Sequence, residues 1–142
     1  SLFVVIGCID HVGVIDKLAE GLAKLGGSNV FLMYTLLVFV SVVVSAFVDN
    51  IPYVMAMLPV VSGVATSMGV DPTVLYFGLL VGATLGGNIT PIGASANITG
   101  IGMLRKEGYN VKAKDFMKIS VPFTLTAVLS GYAFIWIFYG IL

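Results

Sequence analysis

Two short polar interruptions, Asp49-Asn50-Ile51-Pro52 and Gly86-Gly87-Asn88-Ile89-Thr90-Pro91-Ile92-Gly93-Ala94-Ser95-Ala96-Asn97, sit inside apolar runs long enough to cross a bilayer. Lipid offers no hydrogen-bond partners. Backbone can leave the helix at membrane depth only where protein or a water-lined cavity satisfies the freed groups. Apolar helices broken in this way mark binding sites in secondary transporters.

The surrounding composition agrees with a membrane setting: 58% of the 142 residues are hydrophobic and only 10% are charged. Seven basic and seven acidic side chains cancel. No global field attracts nucleic acid, and none is expected as a partner. The single cysteine, Cys8, excludes an internal disulfide framework or thiolate cluster and reads as a small core residue. No nucleophile with a matched base, metal triad or phosphate loop is present, so the sequence does not read as an enzyme. The lone His11 reads as interfacial rather than as a proton relay. The chain starts at Ser1 and both ends run into apolar sequence. With neither a basic leader nor a small-residue cleavage site, the start is not a signal peptide, and the expectation is a fragment with sequence missing upstream.

Along the chain, residues 2 to 15 read as part of a span, and Val14 to Leu25 as an amphipathic interfacial helix stopped by Gly26-Gly27. Residues 30 to 48 carry no charge and would rise about 28 Å as a helix. Asp49 or Asn50 supplies an N-cap for a helix that contains Pro52 in its first turn, and that helix runs to residue 68. The pair 30–68 is either a re-entrant hairpin or two full crossings. Residues 72–107 exceed one span and are expected as two half-helices around an unwound loop, and a final span is expected over 119–142. Arg105, Lys106, Lys112, Lys114 and Lys118 cluster in one connection, which places 105–118 in the cytoplasm by the positive-inside rule and the C-terminus outside.

Asp49 is the only acid between Glu20 and Asp71, and at the bilayer centre it would cost roughly 2.5–3.5 kcal/mol. Two readings stay open: a mid-membrane tip at which Asp49, Asn50 and freed carbonyls hold a cation or proton, and a wet surface turn. In the second interruption Gly86, Gly87 and Gly93 allow close backbone approach. Asn88, Thr90, Ser95 and Asn97 supply neutral donors and acceptors, and opposed helix ends offer one positive and one negative dipole terminus. The competing reading is helix packing through Gly82, Gly86 and Gly93.

Ser45-Ala46-Phe47-Val48-Asp49-Asn50-Ile51-Pro52 together with the Gly86 to Asn97 stretch resembles permeases of the ArsB/NhaD type. These belong to the ion transporter superfamily of arsenite permeases, sodium/proton antiporters, the P protein and, more distantly, divalent-anion/sodium symporters. The resemblance covers nearly the whole chain. It implies an all-α membrane protein forming the second of two inverted repeats, with a re-entrant helical hairpin, a broken transmembrane helix and amphipathic interfacial helices. By motif, Asp49 and Asn50 fall at the hairpin tip and Ser45 one turn before it, with Asn88, Thr90, Pro91, Ser95 and Asn97 in the facing broken-helix loop. Where the symporters carry Ser-Asn-Thr this chain has Asp49-Asn50-Ile51, which favours coupling to Na+ or H+ over dicarboxylate chemistry.

The expected function is therefore the C-terminal half of an ion-coupled secondary transporter that moves a small inorganic ion or oxyanion by alternating access, with no cofactor beyond the coupling ion. The alternatives are half of a sodium/proton antiporter or a non-transporting membrane scaffold. The expected partners are the bilayer and the missing N-terminal repeat, from the same gene or a partner chain, or a second copy of this chain. The expected location is a bacterial or archaeal plasma membrane.

Overall fold

The structure, a computed structural model, describes residues 14–141. Cys8, His11 and the apolar start lie outside them. The described residues form α1 (Val14–Gly26), α2 (Val30–Ser45), α3 (Asn50–Met68), α4 (Thr73–Gly86), α5 (Ser95–Lys106) and α6 (Ala113–Ile135), and α6 closes in a π-helical turn, Trp136–Gly140. No strand occurs among them, in keeping with an all-α protein.

Local chemistry sets the helix ends. Gly27 leaves α1 with φ 57° and Gly69 leaves α3 with φ 65°, backbone that glycine adopts without a Cβ penalty. The Asn29 side chain accepts the N–H groups of Phe31 and Leu32 at 3.0 and 3.3 Å, capping α2. Asp71 accepts the Thr73 N–H at 2.8 Å as α4 begins. Hydrogen bonds from the Thr73 side chain and backbone hold the Asp71 carboxyl below its ordinary range.

Two boundaries differ from the sequence expectation. α2 stops at Ser45, so the apolar Ala46-Phe47-Val48 belongs to a turn rather than to the helix. α6 starts at Ala113, six residues before the expected span, because the polar Lys114-Asp115 turn is helical although it is not apolar.

The most extensive contact joins α2 and α4. Gly78 faces Tyr34, Gly82 faces Val38 and Ser41, and Gly86 faces Val42. Residue numbers rise together along this seam, so the two helices are parallel and bring their C-terminal ends to one level. α6 runs antiparallel to α4. Ser120 Oγ donates to the Ile89 carbonyl at 2.8 Å near one end, Gly131 faces Val81 in the middle, and the rings of Phe77 and Tyr139 lie 4.9 Å apart at the other end. α3 packs back along α4, and α1 lies on α3. Ser41 Oγ and the Tyr53 hydroxyl, 3.0 Å apart, link α2 to α3.

Met33, Tyr34, Leu37, Val61, Leu75 and Leu79 anchor the shared core. At the end distant from the interruptions, Tyr34 stacks on Tyr132 with centroids 5.2 Å apart, and its hydroxyl donates to the Tyr132 carbonyl at 2.8 Å. Trp136 stacks on the same ring at 5.5 Å. Two helices are long and apolar enough to cross a membrane, Asn50–Met68 and Ala113–Gly140. α2 and α4 are apolar but shorter, with 16 and 14 residues. At 1.5 Å per residue they reach only about 24 and 21 Å, less than the roughly 30 Å hydrocarbon layer.

Candidate functional site

Because α2 and α4 are parallel and end together, four helix termini converge: the C-terminal ends of α2 and α4 and the N-terminal ends of α3 and α5. The two interruptions of the sequence are these two junctions. Direct bonds connect them. Asp49 is the N-cap of α3, and its Oδ1 accepts the Ile51 N–H at 3.4 Å. Its other oxygen, Oδ2, accepts the N–H of Ser95, the first residue of α5, at 3.3 Å. One carboxylate therefore serves the N-termini of two helices 46 residues apart in sequence.

The remaining contacts seat the loop against the turn. The buried Thr90 hydroxyl donates to the Ala46 carbonyl, and Thr90 Oγ1 accepts the Ile92 N–H at 3.4 Å. Ser45, fully buried, donates to the Ala83 carbonyl on α4 at 2.5 Å. The Asn97 amide reaches back to the carbonyls of Gly87 and Thr90 at 3.0 and 3.1 Å, bracing the non-helical segment 87–94. Gly93 permits the close approach: a Cβ there would lie 2.7 Å from the Ala46 carbonyl oxygen and 2.8 Å from that of Ser45.

The structure thus brings Ser45, Asp49, Thr90, Ser95 and Asn97 into one bonded constellation. Pro91 borders a cavity beside it. Asn50 is half-buried in the first turn of α3. Asn88 is directed instead to its own helix end, its amide 3.5 Å from the Thr84 carbonyl. Asn88-Ile89-Thr90 recurs in the sequence as Asn97-Ile98-Thr99, and the two copies are not equivalent. Gly82 and Gly86 serve the packing of α2 on α4, as the packing reading has it, whereas Gly93 serves the junction.

Sequence reasoning expected α6 as a span but missed its part in the site. Ser120 holds the Ile89 carbonyl of the loop, and Thr124, 1% exposed, has no hydrogen-bond partner for its hydroxyl. The signal was there as two hydroxyls one turn apart on an apolar helix.

Electrostatically, two positive helix ends and two negative ones offset each other, each about half a charge. What remains is the charge of Asp49. The site accordingly suits a proton or a hard cation held by carboxylate, hydroxyl and carbonyl oxygens. The N-terminus of α5 suits an anion only when Asp49 is neutralised or withdrawn. No group of three or more His, Cys, Asp or Glu side chains occurs among the described residues.

The family profile for citrate transporters, CitMHS, matches residues 1–142. An uncharacterized transporter of Mycobacterium tuberculosis is 33% identical over 144 residues, covering 100% of this chain and 34% of the relative. One of Synechocystis is 33% identical over 138 residues, covering 86% and 31%. The human P protein is 30% identical over 142 residues, covering 95% of this chain and 17% of the relative. The chain thus spans about a third of the length of the bacterial transporters it matches. No solved structure matches it. The resemblance to the ion transporter superfamily is borne out.

Proposed function

The chain belongs to the citrate transporter family and is an integral membrane protein, and on that premise we propose that it is the C-terminal module of an ion-coupled secondary transporter, with its site at the meeting point of the four helix ends. α2 and α3 form a re-entrant hairpin whose tip is Ala46 to Asp49, and α4, the segment 87–94 and α5 form one broken span. The lengths of α2 and α4 support this, since each falls short of the hydrocarbon thickness and would end its free carbonyls within it. The basic residues at the end of α5, in the connection and in the first turns of α6 support a cytoplasmic position for 105–118 in a bacterial or archaeal plasma membrane. The missing half of the site comes from an N-terminal repeat, from the same gene or a partner chain, or from a second copy of this chain.

The observation that carries this reading is the hydrogen bond from the Ser95 N–H to Asp49 Oδ2. While Asp49 is charged it fills the anion seat at the start of α5. A proton or Na+ arriving at Asp49 competes for the carboxylate, releases the seat and admits the cargo anion, so loading of the two becomes linked. The family description favours a carboxylate such as citrate as cargo, and a small oxyanion fits the same N–H groups. A second reading, sodium/proton antiport, draws on the same bond: a carboxylate that occupies the anion seat at the start of α5 can exchange Na+ for H+ with no other cargo.

In the full-length protein reconstituted in proteoliposomes, Asp49→Asn should abolish sodium- or proton-driven citrate uptake while membrane insertion is retained. Normal coupled uptake by that variant overturns the proposal. Sodium/proton exchange without citrate, lost in the same variant, selects the antiport reading.

A further inference from the structure

A cavity of about 560 Å³ opens on the far side of the junction, between α5 and the start of α6. Its inner wall is Thr90, Pro91 and Phe47, contributed by the loop and the hairpin turn, and its flanks include Ile98 and Met117. Arg105 lines it near the end of α5, about 15 Å along the helix from Ser95. Arg105 is the only charged side chain among the described residues that line it.

The guanidinium is positioned rather than free to wander. One Nη2 donates to the Val111 carbonyl at 2.9 Å, which pins the side chain across the connection between α5 and α6. A guanidinium has five N–H donors in a planar fork, so a single carbonyl leaves most of them unused. Arg105 is exposed at the cavity, so a ligand can reach the fork, which matches two carboxylate oxygens at once. The cavity continues to Thr90 and Pro91, the loop residues next to the proposed site. Its shape and charge are those of an entry chamber for a small carboxylate anion, with the arginine at one end and Thr90 and Pro91 of the loop at the other.

We infer that this cavity is a vestibule through which a small carboxylate reaches the transport site from the α5–α6 side, and that Arg105 is its anion-recognition residue. The inference rests on the transporter reading above but assigns a separate place and a separate residue. Lys112 in the connection and Lys114 and Lys118 in the first turns of α6 add a diffuse positive field. Arg105 alone among these residues and Lys106 lines the chamber.

The test uses the full-length protein with Cys8→Ser and Met117→Cys, labelled from the α5–α6 side by an impermeant thiol reagent, with citrate as the probe. Citrate should slow labelling of position 117. Arg105→Gln should raise the citrate concentration for half-protection at least about tenfold, the size expected of a lost charge-assisted hydrogen bond. Arg105→Lys should retain part of the protection, and Lys114→Gln nearly all of it. Citrate that leaves labelling unchanged, or protects Arg105→Gln as well as the parent, overturns the inference. Asp49→Asn separates the two readings: protection that persists there while coupled uptake is lost supports the vestibule as a distinct site. Normal coupled uptake in Asp49→Asn refutes the transport reading without touching the vestibule result.

Discussion

The α2–α4 seam and helix α5 lie on opposite sides of the same junction and are built by opposite rules. Along the seam Gly78, Gly82 and Gly86 of α4 receive the face of α2, against the Tyr34 ring at the first and against backbone at the other two, and the contact residues of both helices are buried. On α5 only Ile101 is buried, Ile98 and Met103 are 55% and 63% exposed, and the helix takes no part in the extensive helix contacts of the fold. The seam fixes two carbonyl-bearing ends in one place. α5 is held chiefly at its first turns, by the Ser95–Asp49 and Asn97 bonds. A carrier needs both kinds of construction, a fixed wall and a part with few contacts to break, and here the boundary between them runs through the candidate site.

That contrast can be broken most severely at Gly86. A Cβ there would lie 2.6 Å from both the Cα and the carbonyl oxygen of Val42, and backbone cannot swing aside as a side chain can. Gly86→Ala should cost at least the 1–3 kcal/mol, roughly, of an overpacked core, read as a lower thermal midpoint or loss of monodisperse protein. Unchanged melting would mean the seam is not closed. Next in size is Asn97→Ala, which removes two hydrogen bonds to the loop and should cost about 1–3 kcal/mol locally. Hydrogen exchange should accelerate at Ile89 and Gly93 while α2 and α4 keep their protection; acceleration in all of them would erase the distinction between the two regions. The smallest effect belongs to Gly100 on α5, where an added Cβ meets nothing within 4 Å. Gly100→Ala should stabilise by about 0.5–1 kcal/mol through helix propensity alone, and a destabilised variant would reveal a partner pressed against that face.

The sequence made the two breaks legible because lipid forbids unpaired backbone, so Gly-Gly-Asn and Asp-Asn-Ile-Pro inside apolar runs have few structural meanings. Asp49 as a helix cap followed from its residue type and the proline behind it. Hydropathy could not place the start of α6, since Lys114 and Asp115 are polar yet helical, nor the end of α2, since Ala46 to Val48 are apolar yet turn. The pairing of Asp49 with Ser95 and of Thr90 with Ala46 depends on two helices being parallel and in register. The glycines of α4 permit that arrangement without announcing it. The repeated Asn-Ile-Thr looked symmetric because sequence carries no direction in space, and the fold gives Asn97 a structural task that Asn88 does not share.

The bond between Asp49 and Ser95 also sets a population. A hydrogen bond to a charged group is worth roughly 1.5–3 kcal/mol, which keeps the linked form ahead of the parted form by about ten- to a hundred-and-fifty-fold. An unladen molecule would then part this contact spontaneously in about one in ten to one in a hundred and fifty of its copies. In the transport cycle proposed above, that fraction would bound the uncoupled leak, and one substitution at position 49 would move it.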